Sequence, residues 1–117
     1  MEFVSKAQTY DALRKLMLTS APELHDSKME ELARGMEMQG DKSRDPELYQ
    51  TFLDTIDADP LEPQDALAAA ARFLERHLAQ SANEKTQNLI ADAKSGAERP
   101  EDAPAFWNRW MDLLSSV

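Results

Sequence analysis

The chain has 117 residues and a mass of 13.2 kDa, enough for one compact domain and too little for a second independent core. Its 22 acidic and 13 basic residues leave a net charge of −9, which opposes binding to phosphate backbones and anionic lipid, so neither nucleic acid nor a membrane surface is an expected partner. With no cysteine, the chain can form no disulfide, thiolate metal site or thiol nucleophile, a composition that fits a reducing, cytoplasmic setting.

The apolar positions are filled by helix formers. There are 17 Ala, 14 Leu and 6 Met, against four Val and Ile taken together, so the expected fold is all-α, a single compact bundle of five or six short helices over residues 1–117. Residues 1–25 hold no apolar run of signal-peptide length, and no window reaches the roughly 20 apolar residues of a membrane span.

In chain order, the first helix is expected from about Ser5 to Ser20, with Tyr10, Leu13 and Met17 on its apolar face, Leu16 and Leu18 widening that face, and Pro22 as its stop. A second starts at Ser27, whose spacing to Glu30 is that of a capping box, presents Met29, Leu32, Ala33 and Met36, and ends at Gly40. Met38 falls opposite that stripe, either exposed or covered by the next loop. Asp45 and Pro46 are a cap and a first helical residue for a third helix with Leu48, Tyr49, Phe52, Leu53 and Ile56 on one face, closed by Asp59 and Pro60. A fourth opens near Pro63 and carries Leu67, Ala71, Leu74 and Leu78, flanked by Ala66, Ala70, Phe73 and His77. Ser81 and Glu84 have capping-box spacing for a fifth, with a weaker stripe of Ala82, Thr86, Leu89, Ile90 and Ala93, ending at Gly96. Pro104 begins the last and most amphipathic helix, with Phe106, Trp107, Trp110, Met111, Leu113, Leu114 and Val117 in one arc.

Charge is segregated along the chain. Residues 1–44 hold eight acids and seven bases, residues 72–117 hold seven and six, and residues 45–71 hold seven acids and no base. Asp45, Glu47, Asp54, Asp57, Asp59, Glu62 and Asp65 therefore form an uncompensated acidic belt over the third helix, the following loop and the start of the fourth. Clustered charge of one sign speeds association with the opposite sign, which makes a protein partner with a basic surface the expected ligand. The competing reading is a solvated face whose acids at Asp45, Glu47 and Asp65 favour helix N-termini.

Chemistry of other kinds finds little to work with. Asp57, Asp59 and Glu62 crowd oxygen ligands, yet Leu61 and Glu62 occupy the fifth and sixth places from Asp57, where a calcium loop needs a ligand and a glycine. His25 and His77 have no second ligand at zinc spacing, no serine is flanked as in a nucleophile elbow, and Gly35, Gly40 and Gly96 are too far apart for a phosphate loop. No metal, cofactor or catalytic residue is assigned. One catalytic alternative has a specific form: His77, Leu78 and Ser81 on an acidic helical bundle resemble the histidine motif of phosphotransfer domains, which implies His77 as the phosphorylated residue. That family places a lysine and a glycine one turn later, where this chain has Gln80 and Ser81.

Two apolar sets have double readings. Met17, Met29, Met36 and Met38 are either gap-filling core or an adaptable binding surface. The last helix is either core or, through its surplus of large residues, a docking face or homodimer seam. The reading that absorbs most of this is a small acidic protein-binding module rather than an enzyme: an inhibitor, an immunity or antitoxin-like neutraliser, or a secretion chaperone or adaptor. Its partner-binding residues are Asp54, Asp57, Asp59, Glu62, Asp65 and Met38. A structural or oligomeric bundle is the third reading.

Overall fold

A computed structural model describes residues 3–39, 42–54, 56, 61–80 and 83–115, without the side chains of Met38, Gln39, Lys42 and Ser43. The architecture is an all-α bundle of α1 (Lys6–Leu24), α2 (Ser27–Gly35), α3 (Pro46–Asp54), α4 (Pro63–Leu78), α5 (Glu84–Glu98) and α6 (Pro104–Ser115). A single 3₁₀ turn, Pro100–Asp102, precedes α6. A two-residue antiparallel pair, β1 (Met38–Gln39) with β2 (Lys42–Ser43), joins α2 to α3 in the register Met38 to Ser43 and Gln39 to Lys42. The radius of gyration, 13.1 Å, matches the ~13 Å of a well-packed chain of this length.

Local chemistry sets most helix starts. Ser5 Oγ accepts from the Gln8 N–H, and Gln8 Oε1 accepts from the Ser5 N–H, both at 3.0 Å, which closes a capping box. Asp45 Oδ1 accepts from the Glu47 N–H at 3.1 Å ahead of Pro46. Pro63 and Pro104 are first helical residues, where a missing N–H removes no bond.

Helix ends depart from the sequence expectation, each for a physical reason. Pro22 does not stop α1, which runs on to Leu24. Pro22 and Leu18 both face solvent, so the Leu18 carbonyl that proline leaves without a donor lies where water can reach it. The true stop is His25, in the left-handed region at φ 53°. There the Asp26 N–H reaches the Ala21 carbonyl at 3.1 Å and the His25 N–H reaches that of Pro22 at 3.4 Å, a Schellman closure. That turn carries Asp26, not Ser27, into the cap of α2. Helix α2 ends at Gly35 rather than Gly40, because the chain turns into β1. Helix α3 ends at Asp54, ahead of the expected Asp59 and Pro60, which lie outside the described residues. The Ile56 N–H then turns back to the Leu53 carbonyl at 3.1 Å and buries Ile56. Gly96 lies inside α5, not beyond it. A Cβ there would stand 3.1 Å from Leu67 Cδ2, so the glycine serves close approach to α4.

The core is one continuous cluster built on α1 and α4. A ladder of rings crosses it. Tyr10 meets Tyr49 at 4.8 Å and Phe52 at 5.3 Å, Phe52 meets Phe73 at 5.6 Å, and Phe73 meets His77 at 4.4 Å between centroids. Their tilted and edge-on packing is worth about 0.5–1.5 kcal/mol per pair beyond burial. The antiparallel pair α4 and α5 has the most extensive packing, although α5 has the weaker stripe. Thr86, Leu89, Ile90, Ala93 and Gly96 are all buried there. Two glutamines clamp this pair at opposite ends. Gln64 Nε2 donates to the Ala97 carbonyl at 2.7 Å at the end of α5, and Gln87 Nε2 donates to the Leu78 carbonyl at 3.0 Å at the end of α4. Each supplies donors to carbonyls that a helix end leaves open.

Candidate functional site

The acidic belt is only partly within the described residues. Asp54 closes α3, Glu62 is the N-cap of α4 and Asp65 lies in its first turn, and all three are exposed. Asp57 and Asp59 lie outside the described residues, as does the Met38 side chain, although the Met38 backbone is placed in β1. Asp45 is half-buried as the cap of α3, and Glu47 is exposed in its first turn.

No ion pair among the described residues involves Asp45, Glu47, Asp54, Glu62 or Asp65. Acids elsewhere do pair. Asp11 meets Lys15 at 3.1 Å and Arg14 at 3.5 Å, Glu30 meets Arg34 at 2.6 Å, Glu37 meets Arg44 at 3.9 Å, and Glu75 meets Lys94 at 2.8 Å. The Glu75 partnership, through its hydrogen bond and its charge, raises the Lys94 pKa above the usual lysine value. The belt acids also differ among themselves. Asp45, Glu47, Glu62 and Asp65 sit at helix N-termini, where the helix dipole favours negative charge. Asp54 sits at the C-terminal end of α3, which has no basic residue in its last turn. There an acid opposes the dipole, and its one described contact is the Gln50 Nε2–H donated to Oδ1 at 3.0 Å. Helix stability accounts for four of these acids and runs against the fifth.

Apolar candidates divide as well. Met17, Met29 and Met36 are fully buried, so for these three the core reading holds. In α6, Trp110 and Leu114 are buried, whereas Phe106, Trp107, Met111 and Leu113 are only half-buried. Trp110 is anchored by its indole N–H, which donates to the Pro63 carbonyl at 3.2 Å. Val117 lies outside the described residues. Phe3, 61% exposed, lines a shallow cavity of about 220 Å³ with Val4, Gln8, Met111 and Leu114.

Sequence reasoning passed over one buried polar lock. Asp26, 6% exposed, accepts from the Met29 N–H at 3.1 Å and from the Thr86 hydroxyl at 2.5 Å, tying the start of α2 to α5. Three residues before Thr86, Asn83 Nδ2 donates to the Leu24 carbonyl at 2.6 Å. Spacing could not reveal either, since the partners lie about sixty positions apart.

His77 is half-buried at the end of the ring ladder, beside a groove of about 280 Å³ lined by Lys28, Glu31, Leu32, Gly35, Asp45, Leu48 and Leu78. Its Nε2 is closed off from solvent and has no hydrogen-bond partner. Burial, and then the charges of Arg76 and Lys28, hold its pKa below the ordinary 6.5. Nε2 is thus closed to a phosphoryl donor, and the phosphotransfer alternative would have to use Nδ1. Among the described residues no group of three or more His, Asp or Glu is placed to hold a metal ion, and no helix is long and apolar enough to cross a membrane. Compared with protein-family models, with curated proteins and with solved structures, the chain matches none.

Proposed function

We propose that the protein is a small acidic protein-binding module of the cytoplasm, with an inhibitor, immunity, antitoxin-like, chaperone or adaptor role, that engages a basic surface on a protein partner without catalysis of its own. The observation that carries this reading is Asp54. It is exposed, paired with no base among the described residues, and placed where the α3 dipole disfavours it. Charge that local stability does not require, in a stretch of 27 residues with no Lys or Arg, suits long-range attraction of a cationic surface. Glu62 and Asp65 extend the same field across the start of α4.

The test is kinetic. The chain that co-purifies with the protein at low salt is immobilised, and association is followed for the parent and for Asp54→Asn, Asp57→Asn, Asp59→Asn, Glu62→Gln combined. The parent should associate markedly faster at low salt, with the advantage lost as the Debye length shortens to about 8 Å at physiological ionic strength. Equal on-rates at low salt would reduce the belt to a solvated face. Self-association through α6 is a second reading, favoured by the half-exposed Phe106, Trp107, Met111 and Leu113. Light scattering at rising concentration would then give twice the monomer mass.

A further inference from the structure

We propose that the C-terminal part of α2, beyond the Asp26–Thr86 lock, and the start of α3 form an acid-labile cover over the C-terminal end of α4, released when His77 takes up a proton. The His77 ring is fixed by its neighbours: Phe73 lies 4.4 Å away between centroids, and the groove beside it is walled by α2 and by Asp45 and Leu48. In neutral imidazole one nitrogen carries no hydrogen, so the tautomer that leaves Nε2 bare buries no unpartnered donor. In imidazolium both nitrogens are donors. The proton then places an N–H at Nε2, where the structure supplies neither water access nor an acceptor, and an unpaired buried donor on a charged ring is worse tolerated than a bare acceptor.

The charged surroundings do not rescue it. Lys28 of α2 and Arg76 of α4 oppose the new charge. Glu31 of α2 and Asp45 ahead of α3 line the groove but offer Nε2 no hydrogen bond. With its folded-state pKa held below 6.5 by burial, the open form binds more protons than the closed one between that value and 6.5. Closure is therefore fully favoured above pH 6.5, weakens as pH falls through the interval, and levels off below the folded pKa. Leu32, Leu48 and Leu78 meet at the same groove, so release uncovers apolar surface. This device is independent of the acidic belt's partner.

The experiment follows the histidine ring and backbone amides of the full chain by NMR from about pH 7.5 to about pH 5.5, with amide exchange expressed as protection factors. His77 should titrate below 6.5. Protection of the C-terminal part of α2 and the first turns of α3 should fall several-fold with the same midpoint, while α5 keeps its protection. In His77→Gln the fall should vanish. Titration of His77 at or above 6.5 would overturn the proposal, because it would mean that Glu31 or Asp45 receives the charged ring. So would amides of these two segments that hold their protection through the ring's titration. Both readings come from the parent protein, so the proposal is decided even if the variant does not fold.

Discussion

Five acids in the two flanking thirds of this protein hold the molecule to itself through a base or a buried hydroxyl, whereas no described acid of the middle third meets a base. Asp11, Glu30, Glu37 and Glu75 each meet a base, and Asp26 is sunk between α2 and α5 as a cap and cross-link. In the belt, Asp54, Glu62 and Asp65 are exposed and meet no base among the described residues. The same residue types thus serve as internal fasteners in one region and as free charge in another. If that division is right, stability should be lost mainly through the flanks, and substitutions in the belt should leave the fold intact.

The largest expected loss is at Trp110. Truncation to alanine removes a fully buried ring and leaves the Pro63 carbonyl without its indole donor, so Trp110→Ala should lower stability by about 3–5 kcal/mol in denaturant titration. Against total stabilities of about 5–15 kcal/mol, that approaches unfolding. A melting temperature within a degree or two of the parent would show that α6 is a surface element. Asp26→Ala should follow, at about 2–4 kcal/mol, since it removes an N-cap and strands the buried Thr86 hydroxyl together. Thr86→Val, which keeps the cap, should cost less than Asp26→Ala. A belt acid exchanged for its amide with a comparable loss would break the comparison.

Smaller effects sharpen it, because the helix dipole gives the belt acids opposite signs. Asp65→Asn removes a favourable charge from the first turn of α4 and should destabilise by about 0.3–1 kcal/mol. Asp54→Asn removes an unfavourable one from the end of α3 and should stabilise by a similar or smaller amount, with the Gln50 hydrogen bond retained through the amide oxygen. Glu30→Gln, which breaks an exposed pair with Arg34 one turn on, should cost about 0.3–0.5 kcal/mol. If Asp54→Asn destabilised as much as Asp65→Asn, Asp54 would be a structural residue, and the chief support for the belt's role would be gone.

The starts of α3, α4 and α6 were legible because Asp45 with Pro46, Pro63 and Pro104 each act within a turn, whereas Asp26 caps α2 where Ser27 was expected and Asn83 caps α5 where Ser81 was expected. Helix ends were not legible, because packing and backbone closure decide them. Pro22 is tolerated on a solvent face, and Gly96 is placed by Leu67 of another helix. The strength of α5 was hidden for a related reason. Small residues such as Ala93 and Gly96 bring backbones together without raising the apolar count that periodicity detects. The pair β1 and β2 is two residues long on each side, too short for alternation to show. In the belt, composition disclosed the missing bases, but whether each acid points toward a base from a distant segment depends on the fold. The Asp26 lock and the closed-off His77 nitrogen are tertiary facts of the same kind.

In the proposed function, position and not the number of acids makes the belt attractive to a basic partner. The direct measurement compares association rates, at low salt, of two variants with the same change in net charge. One carries the four belt amides at Asp54, Asp57, Asp59 and Glu62, and the other carries amides at the paired flank acids Asp11, Glu30, Glu37 and Glu75. The belt variant should associate markedly more slowly than the parent and the flank variant nearly as fast as the parent, with the difference vanishing at high salt. Equal slowing of both would show that only the net charge of −9 is felt, and would contradict the claim.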